Sequence, residues 1–186
     1  RIPPVKVPEK TEVRSDDIPH SQLKRIEENI LYEDKDLMVV NKPSGVAVHG
    51  GGGVNWGLIE VLRILRPLAK RLELVHRIDR DTSGCILVAK KASVLKALHA
   101  QMRADKFDKR YLAIVTGQWP KRKHKIDLPL RKDHLKDGGW HVKVADDGKS
   151  AVSFFKLEQH LKGCDLVSVK LKTGRTHQIR VHALSQ

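Results

Sequence analysis

Residues 76–84 read His-Arg-Ile-Asp-Arg-Asp-Thr-Ser-Gly and place one carboxylate, Asp79, between two arginines, Arg77 and Arg80. Flanking cations favour the charged form of a carboxylate. An acid held ionised beside a negatively charged substrate can attack it or take a proton from it. The same residues also describe a salt-bridged turn between two strands, because structural ion pairs surround carboxylates with arginines too. The position favours a turn: an apolar run (Leu72, Leu74, Val75, Ile78) meets Thr82-Ser83-Gly84 here.

Three other patterns offer chemistry and fail on a missing part. His49 followed by Gly50–Gly53 resembles a lipase oxyanion loop, but the chain has no G-x-S-x-G nucleophile elbow. The glycines read instead as a loop that lets backbone approach a partner. Gly148-Lys149-Ser150 resembles the end of a P-loop, yet Lys143 stands where its first glycine belongs. Asp79 and Asp81 are too close in sequence, with a turn between them, to face each other as paired glycosidase acids. Ten histidines are scattered without H-E-x-x-H, and there is no C-x-x-C, so no metal site is expected.

Charge points to the partner. The 186 residues carry 36 Lys and Arg against 22 Asp and Glu, a formal charge of +14. Such an excess implies a polyanion, most commonly nucleic acid. No apolar run approaches the ~20 residues of a membrane span. The opening Arg-Ile-Pro-Pro-Val-Lys has no signal pattern, and a cytoplasmic protein is expected. Cys85 and Cys164 lie in apolar stretches and are expected as reduced core thiols. At 4%, aromatic content is too low for a broad base-stacking platform. The densest basic run is Lys121, Arg122, Lys123 and Lys125, with Arg131 and Lys132 close behind, and it is expected to track an RNA backbone.

These residues need elements to position them. Residues 1–20, rich in Pro and charge, read as a linker or arm, and 21–186 as one domain. A helix is expected over 21–28, then a hairpin from Ile30–Tyr32 and Leu37–Val40 closed by Asn41-Lys42-Pro43-Ser44-Gly45. Helices follow over 56–65 and 94–102, with strands at 72–78, 85–89 and 111–115. Further strands are expected around 125–130, 140–145 and 150–157. Val167, Val169 and Leu171 alternate with polar residues in a half-buried strand, and a helix or tight loop starts near Arg175. Many strands with few helices suggest an α+β fold with a mixed, largely antiparallel sheet.

Four ordered motifs resemble those of the pseudouridine synthases that modify ribosomal and transfer RNA. They are Asn41-Lys42-Pro43-Ser44-Gly45-Val46-Ala47-Val48-His49, the 76–84 run, Lys109-Arg110-Tyr111-Leu112-Ala113, and residues 173–182, Thr-Gly-Arg-Thr-His-Gln-Ile-Arg-Val-His. The glycines after His49 and the Arg-Ile-Pro-Pro-Val opening resemble the branch of the family acting on large-subunit ribosomal RNA. In that branch a small RNA-binding domain precedes this opening, and the catalytic domain continues past the last motif. The resemblance therefore implies a partial catalytic domain.

The resemblance also implies a reaction: the ribose–nitrogen bond of uridine breaks, the base turns, and it rejoins through carbon, without metal or cofactor. It implies that Asp79 is the catalytic aspartate, as nucleophile or base, and that Arg180 is its charge partner. Tyr111 would stack on the base. Arg77 would fill the space left by the flipped nucleotide. Arg175, Lys42 and His49 would support substrate binding. Ribosomal RNA is the expected partner and a monomer the expected state. The alternative is a non-catalytic RNA-binding module of ribosome assembly, using the same basic surface with no special role for Asp79.

Overall fold

The computed structural model describes residues 17–51, 53–120, 124–134 and 139–186. Backbone contacts divide the chain into two compact units, Arg1–Ala100 and Gln101–Gln186.

The first unit holds α1 (His20–Glu27), β1 (Ile30–Glu33), β2 (Leu37–Lys42), α2 (Leu58–Leu65), β3 (Glu73–Leu74) and β4 (Gly84–Ala89). α3 (Ala92–Arg103) runs across the division between the units. The sheet order is β1-β2-β4-β3, all antiparallel. Alternation explains the central strands: Met38, Val40, Ile86 and Val88 are buried on one face. The β1–β2 turn is set by the Asp34 carboxylate, which accepts from the backbone N–H groups of Asp36 (2.7 Å) and Leu37 (2.8 Å). α2 buries Leu58, Ile59, Val61 and Leu62. Each such side chain contributes about 1.5–3 kcal/mol when fully buried.

The second unit holds β5 (Lys109–Thr116), β6 (Lys125–Asp127), β7 (Leu130–His134), β8 (Trp140–Val144), β9 (Val152–Leu161), β10 (Cys164–Leu171) and α4 (Gln178–Leu184). One sheet has the order β5-β10-β9-β6, and β7–β8 form a separate ribbon. All pairings here are antiparallel too. Trp119, Ile126, Phe155, Val167, Val169 and Leu171 form the core, with Ile179 and Ala183 of α4 packed on it. Trp119 and Phe155 stack at 4.6 Å.

The α+β architecture agrees with the sequence, and three local readings are corrected. The apolar run 72–78 yields only a two-residue strand. Val75 still donates to the Leu87 carbonyl at 2.9 Å, but Leu87 N–H then donates to the His76 Nε2 at 3.2 Å. An imidazole replaces the next backbone acceptor, and the ladder stops. The strand β7 was not expected, because Leu130-Arg-Lys-Asp-His offers a single apolar residue to an alternation pattern. Finally, the cysteines are free but not in the core: Cys85 is exposed and Cys164 half-buried. Cys85 lies one residue out of phase with the buried Ile86 and Val88, on the opposite face of β4.

Candidate active site

The loop that carries Asp79 is fixed by the segment that follows β2. Lys42 is fully buried, and its ammonium donates to the carbonyls of Pro43 (2.9 Å), Val46 (2.7 Å) and Arg80 (2.8 Å). Gly45 N–H donates to the same Arg80 carbonyl at 3.0 Å, and Arg80 Nε returns a bond to the Gly45 carbonyl at 3.1 Å. Ser44 Oγ donates to the Asp81 carbonyl at 2.8 Å. Thr82 N–H closes the turn on the Asp79 carbonyl at 3.1 Å. Asp79 is half-buried at the head of this turn, and Arg77 is exposed.

Lys42, expected to support substrate binding, is buried and spends its donors within the protein. An ammonium has three donors, and all three are taken by carbonyls. Burial lowers its pKa to about 8, against the pull of Asp81 and Asp79 in the other direction. Its task is to join the first and second motifs.

His49 is exposed, on a segment wrapped around the start of α2. The first N–H groups of that helix find partners there: Leu58 donates to Ala47 O (2.8 Å) and Ile59 to Val48 O (3.1 Å). The Glu60 carboxylate accepts from Gly57 N–H (2.9 Å) and from Gly50 N–H (3.0 Å), which ties the glycine run to the helix.

In the second unit, Tyr111 sits on β5 opposite Val169, half-buried against the core. Arg175 and Arg180 flank the start of α4, both exposed. Arg175 Nε donates to the Ser150 carbonyl at 3.0 Å. His177 between them has φ +53°, a left-handed conformation unusual outside glycine. Its ring stacks on Trp140 of β8 at 5.0 Å, and the Lys132 ammonium lies 4.1 Å from the Trp140 ring centre.

Beneath this turn runs a buried polar chain that the sequence did not reveal. Thr173 Oγ1 and Arg175 N–H both donate to Gln178 Oε1 at 2.9 Å. Gln178 Nε2 donates to the Ser153 hydroxyl (2.9 Å) and to the Val152 carbonyl (3.1 Å). Ser153 Oγ lies 2.9 Å from His182 Nδ1, and His182 Nε2 lies 3.0 Å from the Leu128 carbonyl. A carbonyl only accepts, so Nε2 carries the proton and Nδ1 accepts from Ser153. Burial lowers the His182 pKa, which agrees with this neutral form. A lone serine in a strand carries no signal of such a role.

The expected backbone-binding residues are less free than their sequence suggests. Lys125 pairs with Asp127 at 2.8 Å. Arg131 is held by Asp133 and by both oxygens of Asp147, at 2.6–2.7 Å. Lys132 covers Trp140. Exposed pairs of this kind exchange at little cost. Lys121, Arg122 and Lys123 lie outside the described residues. Among the described residues no group of three His, Cys, Asp or Glu could hold a metal ion.

The family model described as RNA pseudouridylate synthase matches residues 36–185. Ribosomal large subunit pseudouridine synthase C of Buchnera aphidicola (subsp. Schizaphis graminum) is 50% identical over 184 residues, 99% of this chain and 58% of that protein. The protein of the same name from Escherichia coli K12 is 50% identical over 183 residues, covering 98% and 57%. The chain thus spans little more than half the length of these relatives. Among solved structures, human RNA pseudouridylate synthase domain containing 4 aligns with a TM-score of 0.70 and 27% identity, over 87% of this chain and 66% of that one. Human RNA pseudouridylate synthase domain containing 1 shares the fold, with a TM-score of 0.69 at 24% identity over 84% and 64%. With the family model matched over most of its length, and with the four motifs in order, the chain belongs to the RNA pseudouridylate synthase family.

Proposed function

We propose that the protein isomerises specific uridines of large-subunit ribosomal RNA to pseudouridine, with Asp79 as the catalytic carboxylate. The observation that carries this reading is the Asp79 turn itself. The carbonyls of Asp79, Arg80 and Asp81 are held by Thr82, by Lys42 with Gly45, and by Ser44, which fixes the backbone from which the carboxylate projects. Preorganised geometry of this kind is what a reacting group needs. Membership of the family and the names of the relatives support the reaction and the RNA class.

In this reading the target uridine leaves its stack, at a cost of a few kcal/mol. Arg77, exposed next to the turn, fills the space it leaves. Asp79 acts on the sugar or on its proton while the bond from C1′ to N1 breaks. The base turns, C5 bonds to C1′, and C5 gives up its proton as N1 gains one. Tyr111 stacks on the base, and Arg180 is the cation that balances the carboxylate. Arg175 and His49 contribute to substrate binding. Residues 21–186 act as part of the catalytic domain, as a monomer in the cytoplasm. Among the described residues no helix is long and apolar enough to cross a membrane.

The test is to incubate the protein and its Asp79→Asn variant with unmodified large-subunit ribosomal RNA and map pseudouridine by chemical labelling and primer extension. The expected result is new pseudouridine with the wild type and none with the variant, at retained RNA affinity. Normal turnover by the variant would overturn the role of Asp79. Tight binding with no product from either protein would favour a non-catalytic assembly module.

A further inference from the structure

We propose that the concavity between the end of α2 and β3 binds the phosphate backbone of RNA, through Arg63, Lys70 and Arg71. This rests on the RNA reading above and adds a contact to it. The concavity measures about 350 Å³, and none of its lining residues belongs to the 76–84 loop.

Its charge does not cancel. Four cations, Arg63, Arg66, Lys70 and Arg71, line it with one carboxylate, Glu73. Arg66 is already taken: it bonds Glu33 at 3.0 Å and approaches Glu27 at 3.4 Å. Arg71 meets Glu73 only at 3.9 Å, with both side chains more than two-fifths exposed. Lys70 has no ion-pair partner among the described residues. Arg63 spends one guanidinium N–H on the Leu72 carbonyl, at 3.0 Å, and keeps four donors. Three available cations therefore face one loosely held acid.

The end of a helix attracts cations to its free carbonyls. That explains Arg66, whose Nη1 donates to the Leu65 carbonyl at 3.0 Å. It does not explain Lys70 and Arg71, which lie beyond the helix. The Arg63–Leu72 bond folds their segment back toward the helix and gathers the charges around one hollow. No aromatic ring lines it, so it offers nothing for a base to stack on and suits phosphate oxygens. Arginine and lysine together match that ligand, as fork and point charge.

The experiment compares wild type, a Lys70→Gln/Arg71→Gln variant, and a charge-matched Lys35→Gln/Lys96→Gln control. Arg63 is left in place because it bonds the backbone. RNA affinity is measured across a series of salt concentrations with a large-subunit ribosomal RNA fragment, and pseudouridine formation by the wild type is read in parallel. Each lost phosphate contact lowers the slope of log affinity against log salt by roughly 0.7–0.9. The pocket variant is expected to bind roughly thirtyfold more weakly near 0.1 M salt, with a slope shallower by roughly 1.5. The control is expected to follow the wild type. Wild-type affinity and slope in the pocket variant would overturn the proposal, as would an equal loss in the control. Absence of pseudouridine with the wild type would instead count against the isomerase reading, whatever the slopes.

Discussion

The Lys42 ammonium donates to the Arg80 carbonyl at 2.8 Å, across 38 residues of sequence and one residue from Asp79. This bond connects a strand end to the turn that carries the proposed catalytic acid. Replacing Lys42 with Met keeps an unbranched apolar stem as far as Cε and removes the ammonium with all three donors. The Pro43 and Val46 carbonyls then lose this donor, each at risk of about 1–3 kcal/mol, while the Arg80 carbonyl keeps the Gly45 N–H. Removal of a buried charge offsets part of that. We expect Lys42→Met to destabilise the protein by about 2 kcal/mol in denaturant unfolding, and to slow pseudouridine formation more than it weakens RNA binding. Unchanged stability would mean that the three bonds contribute nothing net.

His182 predicts a pH dependence of stability. Its folded pKa lies below the ordinary value, so between that ordinary value, about 6.5, and the lower folded one the unfolded chain binds a proton that the folded chain refuses. Stability therefore rises with pH in this window, and is lost as pH falls through it. The slope for one proton is at most about 1.4 kcal/mol per pH unit. Below the folded pKa the loss levels off, because both states are then protonated. A protonated Nδ1 would also face a Ser153 hydroxyl that already accepts from Gln178. Unfolding midpoints of wild type and His182→Gln between pH 7 and 5 check this, and the variant should show the shallower slope.

Ser153→Ala tests the same chain at its centre. It leaves Gln178 Nε2 with one acceptor, the Val152 carbonyl, and His182 Nδ1 without its donor. The expected cost is about 1–3 kcal/mol. A Ser153→Thr variant, which keeps the hydroxyl, should recover part of it if the methyl group fits.

How much of this was legible follows from where each signal lives. The strands that carry Met38, Val40, Ile86 and Val88 show in the sequence as short apolar runs between turn residues, but which of their residues are buried does not. The four motifs are legible as local strings. What joins them is not. Lys42 reads as a turn lysine supporting substrate binding until its three carbonyls converge, one of them from a distant loop. Ser153 is silent because its partners come from the last helix. The His76 imidazole ends β3 by side-chain competition for a backbone donor, which an apolar pattern cannot express. Beyond the buried Leu130, the strand Leu130–His134 is held by charge pairs around Asp133, which an apolar pattern does not show.

Gly57 is a position where space, not backbone conformation, demands glycine. Its φ of −140° suits any residue, but a Cβ there would lie 2.6 Å from three backbone atoms of His49. Gly57→Ala must push the His49 segment away from the first turn of α2. The expected cost is about 1–3 kcal/mol, as for other overpacked sites. The bonds from Leu58 and Ile59 to Ala47 and Val48 should loosen with it, which hydrogen exchange at those two amides would read as faster exchange. Exchange at the wild-type rate would show that the loop absorbs the methyl group elsewhere.

The Trp140–His177 stack holds an arginine-bearing turn in a conformation its residue does not favour. A left-handed non-glycine residue costs roughly 1–2 kcal/mol, and the ring contact on Trp140 is among the interactions that offset it. Trp140→Ala removes that contact and the seat of the Lys132 ammonium together, with an expected loss of about 1–2 kcal/mol. Trp140→Phe keeps an aromatic face and should recover most of it. If the stack also aims Arg175 and Arg180, Trp140→Ala should lower the rate at saturating RNA, and Trp140→Phe should restore it. A stability loss with an unchanged rate would limit the stack to folding.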